Sequence, residues 1–207
     1  MARSRDTADM DAPEILLARH GETEWSVSGQ HTGTTDIPLT EEGHRQAERL
    51  GRRLRGREFA TVLSSPLQRA LETCRLAGLG DRCETRAELV EWDYGDYEGM
   101  TTPEIRETVP GWRVWTGPVP GGETAAEVGT RVDRVVDELA NPEGDAVVFA
   151  HGHLLRVMGA RWIGLAPEDG ALLALDTGTV SVLGWERDRR VLRLWNDSSH
   201  LAEVHQR

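Results

Sequence analysis

Three times in 207 residues a short apolar run stops at polar side chains and a helical pattern follows. The runs are Pro13–Arg19, Ala60–Ser65 and Asp145–Ala150. Strands that are apolar on both faces belong in a parallel sheet covered on both sides. The helical patterns are signposted. Thr40 is placed to cap a helix over Leu39–Leu54, where Ala47, Leu50 and Leu54 share one face. Ser65-Pro66-Leu67-Gln68 reads as a capping box opening a helix through Leu76. Thr124-Ala125-Ala126-Glu127 reads as another, opening a helix to Ala140, and a further helix is expected from His151 to Leu165. Residues 84–90 read as a weaker strand. Residues 171–197 read as strands with a hairpin near Arg187–Arg190. Glu91–Gly122 is rich in Gly, Pro, Trp and Tyr and reads as loop, with a short helix after Thr102-Pro103. Alternating strands and helices predict an α/β fold with helices on both faces of a mostly parallel, mixed sheet.

What the strands deliver is informative. The first ends in Arg19 and His20. The second ends in Ser64 and Ser65, with Arg69 just beyond. The third ends in His151. Ligands of open α/β sheets bind outside the carboxyl ends of the strands. Two arginines, two histidines and helix N-termini gathered there make a site for a tetrahedral anion. The net charge is −11, so the surface disfavours nucleic acid and anionic membranes as partners. An anion site on such a chain must be a local positive cluster. All 24 Lys-plus-Arg residues are Arg, so only Arg and His can build it.

A composition of 38% hydrophobic and 29% charged residues is that of a soluble globular chain. No apolar run approaches the roughly 20 residues of a membrane span. The polar start shows no secretory signal, and residues 1–13 are expected to be loosely ordered. Residues 14–207 then form a single domain, with a cap around 92–123. Cys74 and Cys83 read as reduced thiols of a cytoplasmic protein.

The segment "ARHGETEW" resembles the Arg-His-Gly signature of the histidine phosphatase superfamily, the phosphoglycerate mutase-like proteins. The resemblance continues in order through "TGTTDIPLTEEG", "SSPLQRALET", "EWDYGDYEG", "PGGET" and "VVFAHGH", and "LWNDSSHL" near the end also fits. It implies a three-layer αβα sandwich and a metal-independent phosphomonoesterase without a cofactor. His20 would be the nucleophile, Arg19, Arg69 and His151 would bind phosphoryl oxygens, and Glu91 would be the proton donor. It also places Thr23, Ser26, Thr32, Gly33, Tyr94 and Gly152 around the phosphate and the substrate. The expected partner is a small phosphorylated metabolite. The oligomeric state is not readable, and a homodimer is compatible with the sequence.

Alternatives stand beside these readings. Asp93, Asp96 and Glu98 rival Glu91 as the acid. His151-Gly152-His153 could hold a metal, although no nearby Cys or carboxylate completes a set. Many members have Asn where Ser26 stands, and Gln30-His31-Thr32-Gly33 replaces a frequent Arg-x-Gln-Gly. Trp92, Tyr94, Trp112 and Trp115 either line the pocket or pack the cap. A mutase needs a second phosphate site. Thr102 stands where the mutases place a Lys, and their later Arg pair is missing. The chain looks closer to the small acid phosphatases and sugar-bisphosphate phosphatases. A mutase and a phospho-ligand binding module without turnover are the other two readings.

Overall fold

The computed structural model describes residues 12–202. The expected loose segment 1–13 lies almost wholly outside the described residues. Six strands form one mixed sheet. β1 (Ile15–Arg19), β2 (Thr61–Ser64), β3 (Glu84–Thr85) and β4 (Ala146–Ala150) run parallel, in the order β3-β2-β4-β1. β5 (Val180–Glu186) pairs antiparallel with β1, and β6 (Arg189–Asp197) pairs antiparallel with β5 at the sheet edge. β1 and β4 are buried on both faces, as their unbroken apolar sequence demands. Ile15, Leu17 and Val148 face one apolar cluster with α5 (Ala125–Leu139) and α6 (Gly152–Trp162). Leu16, Ala18, Val147 and Phe149 face a second cluster with α2 (Glu41–Leu54) and α3 (Gln68–Leu76). These are the three layers.

The register sets the site. Arg19 pairs with Ala150, so His20 and His151 leave neighbouring strands side by side. Ser64 pairs with Phe149, so Ser65 leaves the next strand on the other side of β4. The glycine after His20 is explained by packing. An added Cβ on Gly21 would sit 2.3 Å from the carbonyl oxygen of Gly43, and one on Gly43 would sit 2.2 Å from that of Glu22. The turn after β1 and the first turn of α2 thus touch backbone to backbone, and no side chain fits between them.

The sequence reading needs four corrections. The helix expected from Ser65 begins at Gln68, with Leu67 as its non-capping N-cap. Ser65 is not its cap because its hydroxyl meets His151 and accepts weakly from the Leu67 amide. Asp36 takes over, accepting from the Gln68 amide and receiving the Gln68 side chain on its carbonyl. Residues 84–90 yield only the two-residue β3 and then a 3₁₀ turn, Ala87–Leu89. α6 stops at Trp162, three residues early, because Gly164 turns left-handed at φ 80°. Residues 171–176 are not strand: Pro167–Leu172 is a 3₁₀ helix folded against α6. Two further helices are short. α1 (Glu24–Ser28) was not foreseen and contributes Trp25 and Ser26 to the pocket wall, and α4 (Thr102–Thr108) opens on the Thr101 capping box. Segment 92–123 packs Trp92, Tyr97, Ile105 and Trp112 into the α5/α6 cluster.

Candidate active site

His20 directly follows β1 and is 5% exposed. Its Nδ1 lies 2.7 Å from the Gly21 carbonyl oxygen. A carbonyl only accepts, so Nδ1 carries the proton and Nε2 keeps its lone pair. Burial first, then the Arg69 and Arg19 charges, hold this imidazole neutral well below the usual histidine range. A neutral ring with a directed lone pair is a nucleophile. The His151 ring lies with its centroid 5.2 Å away.

Behind these rings runs a hydrogen-bonded relay. Arg69 Nε donates to His151 Nδ1 at 3.1 Å, so His151 holds its proton on Nε2 and donates it to Ser65 Oγ at 2.7 Å. Arg69 also donates to the carbonyls of Thr32, Gly33 and Thr35. Arg69 and His151 are both fully buried, a layer behind the pocket wall.

The pocket, about 180 Å³, is lined by Arg19, His20, Thr23, Ser26, Thr32, Glu91, Tyr94 and Gly152 among others. Arg19 reaches the Leu175 carbonyl, while its buried Nε has no partner. Gly152 leaves room for that guanidinium, because a Cβ there would sit 3.1 Å from Arg19 Cζ. Ser26 is committed elsewhere: its hydroxyl donates to the Thr23 carbonyl and closes the α1 capping box. Gly33 is not at the wall. Its amide donates to Glu98, and its carbonyl serves Arg69.

Glu91 is 5% exposed. Oε1 accepts from the Trp92 and Leu154 amides, and Oε2 accepts from His153. Residues 153 and 154 belong to the first turn of α6, so Glu91 caps a helix whose own N-cap, His151, makes no side-chain cap. Of the four acids weighed from the sequence, only Glu91 faces the pocket. Asp93 accepts from Gly95, Glu98 accepts from Gly33 and Thr35, and Asp96 lies exposed.

The sequence reading missed three titratable residues of the pocket wall, His31, His153 and Arg156. His153 Nδ1 lies 2.6 Å from the Tyr94 hydroxyl. Burial and the Glu91 and Glu98 charges raise the Tyr94 hydroxyl well above its usual range, and burial holds His153 neutral. Tyr94 therefore donates, leaving His153 a proton on Nε2. Arg156 stacks on Trp115 with Cζ 4.6 Å from the ring centroid. Its place four residues after Gly152 puts both on one helix face, the signal that was available. His31 completes the wall, held neutral down to about 4 by burial. Trp92, Trp112 and Trp115 pack the cap and do not line the pocket. Among the described residues no cluster of His, Cys, Asp and Glu could hold a metal ion, and no helix is long and apolar enough to cross a membrane.

The pattern that describes the histidine phosphatase superfamily (branch 1) matches residues 15–198. This chain belongs to that superfamily. An acid phosphatase of Mycobacterium tuberculosis is 42% identical over 190 residues, covering 90% of this chain and 93% of that one. A 2,3-bisphosphoglycerate-dependent phosphoglycerate mutase of Brucella anthropi is 35% identical over 194 residues, covering 86% and 94%. Among solved structures, the product of a Mycobacterium tuberculosis open reading frame superposes with a TM-score of 0.84 at 41% identity, covering 89% and 97%. The fold expected from the sequence is the fold found, and the enzyme is a phosphatase of the superfamily.

The three buried histidines of this phosphatase make its stability depend on pH. Burial lowers His20, His151 and His153 well below the unfolded value. Between the two values the unfolded chain binds protons that the folded one does not, so acid favours unfolding. The stability is complete above pH ~6.5 and is lost as pH falls, by at most about 1.4 kcal/mol per histidine per pH unit. In phosphate-free buffer at fixed ionic strength, the melting temperature is expected to drop between pH 7 and pH 5. A flat profile in calorimetry would contradict this.

Proposed function

We propose that this phosphatase hydrolyses small phosphorylated metabolites without a metal, through a phosphohistidine on His20. The observation that carries the reading is the His20 Nε2 lone pair, left free by the Nδ1 bond to Gly21 in a pocket shared with Arg19 and Glu91. Nε2 attacks phosphorus in line with the departing oxygen. Arg19 and the cationic layer behind it balance charge on the equatorial oxygens, the role a metal plays in other phosphoryl-transfer enzymes. Glu91 gives a proton to the leaving alkoxide, then takes one from the water that cleaves the phosphohistidine. Each half-reaction is a simple displacement, and the phosphate leaves as the free anion.

The guanidinium that shares the pocket with Arg19 is Arg156, stacked on Trp115 and bonded to the Gly170 and Ala171 carbonyls, and the Arg residues weighed for a second phosphate site lie elsewhere. Arg106 and Arg113 are exposed and outside the pocket, with Arg106 bonded to the Trp112 carbonyl. A non-catalytic binder would not need Glu91 beside a free Nε2. The expected setting is the cytoplasm, with the protein alone or as a homodimer and without nucleic acid.

The test is a panel of phosphorylated metabolites assayed after chelation of divalent ions, with acid quenching during turnover. Base-stable, acid-labile phosphate on His20 and undiminished activity after chelation are expected, with vanadate inhibiting as a trigonal-bipyramidal mimic. Activity that disappears on chelation and returns with a divalent ion would overturn the proposal. Phosphate transfer between the positions of 3-phosphoglycerate, dependent on 2,3-bisphosphoglycerate, would favour the mutase.

A further inference from the structure

Arg131 lies on α5, outside the pocket wall, and its side chain is only 16% exposed. A guanidinium has five N–H donors, and here every one meets an acceptor. Nε and Nη2 grip the Glu123 carboxylate at 2.7 and 2.8 Å. Nη1 donates to the carbonyls of Glu88 and Val90 at 2.7 and 2.6 Å. Nη2 also donates to the carbonyl of Glu91 at 3.0 Å. Glu123 works on the far side of the same segment. Its Oε2 accepts from the Asp93 amide, its amide donates to the Asp93 carbonyl, and its carbonyl receives the Trp92 indole.

Residues 88–93 have no strand neighbour to fix them, since regular structure there ends with the Ala87–Leu89 turn. The Arg131–Glu123 pair does what a sheet would otherwise do. It fixes the backbone under Glu91 while α6 fixes its carboxylate. We propose that Arg131, braced by Glu123, is the positioning residue that sets Glu91 for proton transfer. The proposal rests on the reading of Glu91 as the general acid.

Arg131→Lys keeps the charge and most of the stem but loses the planar fork. Steady-state turnover of an alkyl phosphate is expected to fall about 100-fold, the cost of displacing a reacting group by about 1 Å. The pre-steady-state burst of nitrophenolate, a leaving group that needs no proton, is expected to change little, and KM is expected to stay close to wild type. In the Glu91→Gln background the same substitution should add almost nothing, because both changes act on one group. Circular dichroism confirms that each variant is folded at the assay temperature. If Arg131→Lys does not fold, Glu123→Gln carries the test, with the same leaving-group pattern and a smaller loss.

Equal losses for both ester types would overturn the proposal, as would losses that multiply in the double variant. A leaving-group-dependent Glu91→Gln beside a leaving-group-independent Arg131→Lys overturns this proposal alone. A Glu91→Gln without leaving-group dependence overturns the acid assignment and this proposal with it.

Discussion

His20→Ala is expected to lose on the order of 10⁶-fold in kcat, the scale seen when a covalent nucleophile is deleted. The rest of the pocket would survive. Arg19 would still face the pocket, with Arg69 and His151 in the layer behind it, and such positioning and charge stabilisation alone leave a residual rate of about 10³–10⁴-fold over solution. What vanishes is the Nε2 lone pair, and with it the phosphoenzyme. Two readouts check this: steady-state hydrolysis of a nitrophenyl ester, and the absence of acid-labile phosphate after quenching. The substitution also removes one buried imidazole that resists protonation. The variant should therefore lose less stability than wild type on going from pH 7 to pH 5. A variant that kept about 1% of wild-type turnover would mean that another group takes the phosphoryl.

Glu91→Gln is expected to split substrates by leaving group. An alkoxide leaves poorly without a proton, so alkyl phosphate turnover should fall roughly 10²–10⁴-fold, the worth of a positioned acid. A nitrophenolate leaves without help, so phosphorylation of His20 should be nearly unchanged. Release of phosphate still needs water activated by a base. The variant should therefore accumulate phosphoenzyme from the nitrophenyl ester and show a burst of product before slow turnover. Substrate binding should not weaken, because a neutral amide no longer repels the phosphate. Stability should suffer. The amide oxygen can serve the Trp92 and Leu154 amides, but its NH₂ then faces the His153 amide, where a carboxylate oxygen accepts. A buried donor left unpaired costs about 1–3 kcal/mol. Rapid-quench kinetics read the burst and calorimetry reads the stability. No burst, with equal losses for both esters, would move the acid to another residue.

Much of the fold was legible because it rests on local signals. β1 and β4 are apolar end to end, and the Thr40 and Thr124 caps are found where the sequence puts them. The places that misled were those where a distant partner outbids a local one. Ser65 looks like a helix cap until His151, 86 residues away, takes its hydroxyl. Residues 84–90 are polar enough to escape the sheet after two residues. Residues 171–175 are an apolar run that reads as strand, but Pro167–Leu172 closes into a 3₁₀ helix and Leu173 packs against Gly159 of α6. The strand ends announced His20, Arg19 and His151, since register brings them together, and Arg69 follows from its place in the first turn of the helix after β2. Arg131 and the Tyr94–His153 bond were invisible for the opposite reason. Each joins segments with no shared periodicity, 41 residues apart for Arg131 and Val90 and 59 for Tyr94 and His153.

One consequence of Glu91 capping α6 concerns the history of such chains. His20 donates only to its neighbour's carbonyl, so its loss removes chemistry and little scaffold. Glu91 holds the first turn of a core helix, so its loss strains the fold in every descendant, active or not. A lineage that drifts into silence would shed the nucleophile early and keep the acid. In a distant relative, therefore, a retained glutamate at this position testifies to folding, and only the histidine testifies to catalysis.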